Sequence, residues 1–140
     1  MKLYVIIDTN VLVSALLRWH SVPGAILEQA FAGNIIPVVS SGILAEYSHV
    51  LHRQKFSFAE EDIRIVLGAS RKLAVFLEPE PVKENLPDPE DVVFYAITLA
   101  ARKQKDAFLV TGNIRHFPSR SYIVTPRELL NLLESTFGEG

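Results

Sequence analysis

The chain opens "MKLYVIIDTNVLVSALL", and the run from Leu3 to Ile7 is apolar without interruption and β-branched from Val5 onward. A strand with one wet face alternates apolar and polar residues, and this run does not. Leu3 to Asp8 therefore reads as a strand buried on both faces, which is the habit of parallel sheets with helices packed above and below. The run stops at Asp8-Thr9-Asn10, and apolar residues resume at once. A carboxylate is thus pinned between two segments that need burial.

The rest of the chain repeats this alternation. Asn10 to Leu17 reads as a helix, "HSVPGA" breaks it, and Ala25 to Phe31 begins another. "NIIPVVS" is a second short strand after a Gly33-Asn34 turn. Ser40 or Ser41 can cap a helix reaching about Arg53. "SFAEEDIRIVLGASRKL" predicts a further helix, with Ser57 as cap and Glu60 three residues on. "AVFLEP" reads as a strand, "VKENLPDPED" as a polar loop and Val92 to Lys103 as a helix. "AFLVTGN" is a strand ending in a turn, and "YIVT" is a short edge strand. Thr125-Pro126-Arg127-Glu128 combines an N-cap, a proline in the first turn and a capping-box glutamate. It opens a helix to about Ser135, and the "FGEG" tail is expected to fray. Strands alternating with helices predict an α/β sandwich around a mostly parallel sheet.

At 140 residues the chain suits one domain, spanning 1–140, with a substantial core. It has no cysteine, so disulfides and thiolate metal sites are excluded. The N-terminal apolar run is too short for a signal sequence, and no run approaches the roughly 20 residues of a membrane span. The expectation is a cytoplasmic protein with no membrane partner. A net charge of −2 leaves no basic footprint for nucleic acid in the composition.

The acids are more informative than the total charge. Ligands of open parallel sheets bind beyond the carboxyl ends of the strands, where Asp8 stands. Asp8 also suits a helix N-cap, and the two roles are compatible. Glu46 falls at the edge of the apolar arc formed by Ile43, Leu44, Tyr47, Val50 and Leu51, where its carboxylate can curl over the rim of the core. In "LPDPEDVVFYA", Asp88 and Asp91 read first as caps of the following helix, with Glu90 suiting its dipole, and otherwise as acids of a site. Asn113 follows the strand that ends at Thr111, and serves as a turn residue or as a polar group at the same rim. Clustered carboxylates repel when desolvated, so a site built from them needs a cation. Hard oxygen ligands select Mg²⁺ or Mn²⁺ over Zn²⁺.

Four blocks in order, "IDTNVLVSALL", "VVSSGILAEYSHVL", "DPEDVVFYAITLA" and "FLVTGNIRHFP", resemble the PIN domain, from Val5 to about Leu133. More narrowly they resemble the small stand-alone PIN proteins described as toxin components of toxin–antitoxin pairs. The resemblance implies a three-layer α/β/α Rossmann-like sandwich and a metal-dependent ribonuclease. Asp8 matches the family's first acid and Glu46 the second. Asp91 matches the third, because a large apolar residue, here Phe94, follows three positions later. Asp88 matches an additional acid, and Thr111 a hydroxyl at the end of the fourth strand. Asn113 and His116 stand at the two places where relatives carry a fourth acid. Three acids and Asn113 suffice for one Mg²⁺ or Mn²⁺, and without a fourth acid the resemblance leaves open whether a second metal binds.

The reaction implied is hydrolysis of RNA. Asp8, Asp91, Asp88 and Glu46 are the candidate metal ligands, and Asp8, Glu46 and Asp91 are expected to converge within about one coordination sphere. Thr9, Asn10, Ser41, Thr111 and Asn113 are supporting groups. Arg53, Lys55, Arg115, His116 and Arg120 are candidate contacts to the RNA backbone. Trp19 and His20 could stack on a base, and His49 and His52 lack an evident third ligand for zinc. The partners implied are RNA, an antitoxin protein and a second copy of the chain. Two other readings stand beside this one. A haloacid-dehalogenase-type phosphatase also ends its first strand in Asp, but Asn10 takes the place of its second Asp. A degenerate PIN scaffold would bind RNA or protein without cleaving.

Overall fold

The uninterrupted apolar run becomes the middle strand of the sheet. The computed structural model describes residues 2–137, so the last three residues of the "FGEG" tail lie outside the described residues. The chain order is β1 (Leu3–Ile7), α1 (Thr9–Leu17), α2 (Val22–Ala32), β2 (Ile35–Val39), α3 (Ser41–Leu51) and α4 (Glu60–Leu73). Then follow β3 (Val75–Phe76), α5 (Val92–Arg102), β4 (Ala107–Val110), β5 (Ile123–Val124) and α6 (Pro126–Phe137). The five strands lie in the order β3-β2-β1-β4-β5, and every neighbouring pair is parallel.

Consecutive strand residues point to opposite faces, yet both Val5 and Ile6 are fully buried. That is possible only with cover on both sides. From β1 the chain steps outward through β2 to β3, then α5 carries it back across the sheet to β4. Right-handed crossovers in opposite directions place their helices on opposite faces, which gives the three-layer α/β/α sandwich. α1, α2 and α6 pack together, α5 lies on β1, β2 and β4, and α3 touches both α1 and α5. The two crossover directions diverge between β1 and β4. Such a switch point leaves a crevice at the carboxyl ends of the strands.

Local signals explain most element ends. Gly33 stands in the left-handed region with φ 86° and closes α2. The Ser40 hydroxyl, not that of Ser41, accepts from the Ile43 amide at 3.1 Å and caps α3. Thr125 and Glu128 exchange backbone and side-chain bonds at 3.0 and 3.2 Å, completing the expected capping box of α6.

Elsewhere tertiary context moves the boundaries. α2 starts at Val22, because the Ser21 hydroxyl caps the Gly24 amide and Pro23 needs no donor in a first turn. Ser57 is not a cap; it sits left-handed at φ 54° after a 3₁₀ turn, and α4 begins at Glu60. α3 ends at Leu51, two residues short of Arg53. The strand read in "AVFLEP" keeps only Val75 and Phe76, at the sheet edge, where a ladder forms on one side alone. No described helix is long and apolar enough to cross a membrane.

Candidate functional site

Asp8 ends β1, and Thr111 ends β4 beside it. The Asp8 amide donates to the Val110 carbonyl at 3.0 Å, and the Thr111 hydroxyl donates to Asp8 Oδ2 at 2.8 Å. Asn10 joins the two strand ends. Its side-chain amide donates to Asp8 Oδ2 at 3.1 Å, and its Oδ1 accepts from the Gly112 amide at 2.9 Å. The Thr111 oxygen also accepts from the Asn113 amide at 3.0 Å. Asp8 occupies the N-cap position of α1, but its side chain makes no capping bond. Its carboxylate is committed to the crevice instead.

Burial pushes the Asp8 carboxyl up from 3.8 to about 6. The Thr111 hydrogen bond opposes that rise, and the nearby charge of Asp91 adds to it. The next residue, Thr9, has a buried hydroxyl with no hydrogen-bond partner. An orphaned polar atom of this kind costs stability unless something outside the chain meets it.

α3 brings the second acid. The Tyr47 hydroxyl donates to the Ile7 carbonyl, one residue before Asp8, and its ring lies 6.1 Å from that of Phe94. This anchor fixes α3 against the end of β1 and turns Glu46 toward the crevice. Asp8, Thr9, Asn10, Glu46, Asp91 and Asn113 line one cleft of about 280 Å³, together with Ser14, Arg53 and Glu90. The Glu46 carboxyl is raised by burial and by the charges of Glu90 and Asp88, while His49 and Arg53 draw it down.

Asp91 arrives from the loop before α5. Asp88 caps a 3₁₀ turn over Pro89–Asp91 by accepting from the Glu90 amide at 3.0 Å. Asp91 makes no capping bond, so its expected capping-box role is not realised. Its Oδ2 lies 3.0 Å from His116 Nδ1. Burial raises its carboxyl; the His116 hydrogen bond lowers it, and Asp88 and Glu90 raise it further.

The convergence of the acids differs from the expected one. Asp8, Glu46 and Asp91 share a cleft, but the described trio with ligand atoms within 4.8 Å of one another is Asp88, Asp91 and His116. Glu46 stands across the cleft on α3. His116, expected among backbone contacts to RNA, lies against the acids. The orphaned Thr9 hydroxyl, the raised carboxyls and this Asp-Asp-His set fit a divalent cation, with one nitrogen donor beside the oxygens.

Of the other expected residues, Arg53 lies at the cleft, whereas Lys55 is exposed over the Phe56 ring and Arg115 is exposed in a 3₁₀ turn. Ser41 is exposed outside the cleft lining, displaced from the cap by Ser40. Arg120 turns away, 3.8 Å from Glu84. Trp19 donates to Glu28 at 2.7 Å and walls an apolar cleft, so its ring is not displayed for a base. His52 pairs with Glu60 at 2.8 Å on the surface, which leaves no zinc set with His49 among the described residues. In the sequence Glu90 reads only as a helix-dipole acid and Tyr47 only as core. The adjacency of Tyr47 to Glu46 is the one local signal of the anchoring role.

Comparison with known proteins agrees with this architecture. A family model described as PIN domain matches residues 4–115. An uncharacterized protein of Methanocaldococcus jannaschii is 29% identical over 115 residues, which cover 80% of this chain and 72% of that protein. No solved structure gave a significant match. PIN domains form a nuclease superfamily, and the matched span includes Asp8, Glu46, Asp88, Asp91, Thr111 and Asn113: this chain belongs to the PIN domain family.

Proposed function

We propose that this protein is a metal-dependent endoribonuclease. The observation that carries the reading is the cleft at the β1/β4 switch point, lined by Asp8, Glu46 and Asp91, whose carboxyls are all raised. Asp8 and Asp91 would hold Mg²⁺ or Mn²⁺, with Asp88 and His116 completing the set on the Asp91 side. Such an ion polarises a phosphodiester and makes a water more acidic when bound. Glu46 would orient the attacking water and accept its proton, a task that suits a carboxyl raised above its usual range by burial. Arg53, at the cleft beside Glu46, holds a backbone phosphate. Asn10 and Thr111 keep Asp8 in place, and the Thr9 hydroxyl donates to an oxygen of the bound substrate or its water shell.

The experiment is cleavage of labelled single-stranded RNA with EDTA, Mg²⁺ or Mn²⁺, by the parent and by Asp8→Asn. Metal-dependent cleavage reduced by about 10²-fold or more in the variant supports the reading. RNA binding without cleavage in both would favour the degenerate scaffold. That alternative draws on His116, whose Nδ1 lies 3.0 Å from Asp91 Oδ2 and occupies the Asp91 carboxylate without a cation.

The finer role follows the resemblance of the four blocks. The ribonuclease would act in the cytoplasm as the toxin of a toxin–antitoxin pair, restrained by an antitoxin protein. Growth arrest on expression of the parent but not of Asp8→Asn tests this role.

A further inference from the structure

We propose that Phe56 is a base-stacking platform in the acidic cleft and that it selects a purine beside the scissile phosphate. The inference rests on the ribonuclease reading of that cleft and adds the residue that chooses the substrate base. Phe56 ends the 3₁₀ turn Gln54–Phe56 that follows α3. It lines the cleft together with Asp8, Glu46, Arg53 and Asp91. The other aromatic ring in that lining, Phe94, is buried, whereas Phe56 is half-buried. Among the described residues, Phe56 is therefore the aromatic surface that the cleft offers to a ligand.

In the connection "RQKFSFA" between α3 and α4, two phenyl rings stand among mostly polar residues. Both pack partly against the core. They also stack on one another, with centroids 5.6 Å apart and planes inclined by 22°. The Phe56 ring is thus held in place while part of it stays exposed, and a ring fixed in advance loses little entropy when a base settles on it. Ser57, between the two, is the one non-glycine residue at positive φ among the described residues, at 54°. L side chains rarely adopt this conformation, and such strain gathers where backbone geometry serves a site.

What covers the ring is easily moved. Lys55 Nζ lies 5.1 Å from the Phe56 centroid, and Lys55 is exposed with no ion pair among the described residues. An exposed cation–π contact is weaker than the stacking of a base on a ring. A base therefore displaces the ammonium, which is freed to meet a neighbouring phosphate. Arg53, three residues before Phe56, holds the phosphate at the acids while Phe56 holds the adjoining base. Every base has a π-face, but a purine overlaps the ring more fully than a pyrimidine and stacks more strongly. A base inside a duplex keeps its faces covered, so the platform takes an unpaired one.

Two measurements test the platform, with thermal melts to confirm folding. In the Asp8→Asn background, where turnover is slowed, an oligoribonucleotide carrying 2-aminopurine at each position in turn is titrated with Mg²⁺ present. Fluorescence should be quenched on binding at one position, and Phe56→Leu should remove the quenching while Phe56→Trp keeps it. In the parent background, cleavage of a random-sequence RNA pool should show a purine preference of about threefold or more at one position flanking the cut. Phe56→Leu should erase that preference and raise KM by about tenfold with kcat near the parent's, and Phe56→Trp should retain both. Absence of quenching at every position while Phe56 is present, or a Phe56→Leu protein that cleaves with the parent's KM and base preference, would overturn the proposal and leave metal-dependent cleavage standing. Quenching that Phe56→Leu removes, with no metal-dependent cleavage by the parent, supports the platform and overturns the ribonuclease reading instead.

Discussion

Two clefts share a wall in this molecule, and they are built on opposite terms. The apolar one, about 230 Å³, lies between α1, α2 and α4, and Ile7, Leu12, Tyr47 and Leu73 help to line it. The polar one starts one residue later, at Asp8 and Thr9. Ile7 needs only neighbours of suitable shape. Asp8 needs hydrogen bonds from Thr111 and Asn10 and still keeps a carboxyl raised to about 6. The first cleft therefore contributes to stability by packing, while the second gives some stability up to hold charge out of water. Tyr47 stands between them, walling the apolar cleft with its ring while its hydroxyl anchors the end of β1.

The two sides should respond differently to mutation. Leu12 is buried on the apolar side, so Leu12→Ala should cost about 2–5 kcal/mol in urea denaturation and leave the Mg²⁺-induced rise in melting temperature intact. Loss of that rise in Leu12→Ala would mean that the clefts do not act independently.

Asp8→Asn should do the reverse. The folded chain holds the Asp8 proton more tightly than the unfolded chain, so this contribution is complete below about pH 4 and is lost as pH rises through about 6. The shift corresponds to about 3 kcal/mol. Between those pH values the parent in EDTA should become less stable relative to Asp8→Asn by about that amount. Glu46 and Asp91 are raised as well and leave a residual slope of the same sign in the variant. Added Mg²⁺ should stabilise the parent more than the variant. Parallel pH profiles for the two proteins would remove Asp8 as the charged centre of the polar cleft.

Thr111→Val keeps the side-chain shape and removes the donor to Asp8. It should cost about 1.5–3 kcal/mol near neutral pH and less in acid, where Asp8 holds its own proton. The Asp8 midpoint should also move upward in a carboxyl titration followed by NMR. A loss independent of pH would assign Thr111 to packing. Tyr47→Phe is the smallest change and the sharpest test of the shared wall. It should cost about 1 kcal/mol, yet lower RNA cleavage beyond what that loss explains, because Glu46 is then held by α3 packing alone. Unchanged cleavage would show that the hydroxyl serves the fold and not the site.

Features carried by neighbouring residues are legible in the amino-acid sequence. The two-sided burial of Leu3–Ile7, the Gly33 turn and the Thr125–Glu128 capping box each depend on a few consecutive residues, whose geometry is dictated by local sterics and backbone donors. The parallel sheet follows from alternation alone, and the placement of Asp8 follows from the carboxyl-end rule. Distances through space are not legible. Thr111 meets Asp8 across 103 positions of sequence, and His116 meets Asp91 across 25. Those contacts exist only because α5 returns the chain beside β1. Sheet position likewise cuts β3 to two residues, since an edge strand gains ladder bonds on one side only, and Ser40 rather than Ser41 is the cap because its backbone is extended while Ser41 is already helical. Sequence alone determined which residues could be buried, turned or charged together. The tertiary structure decided which of the charges share a cleft, because their repulsion and their hydrogen bonds act through space.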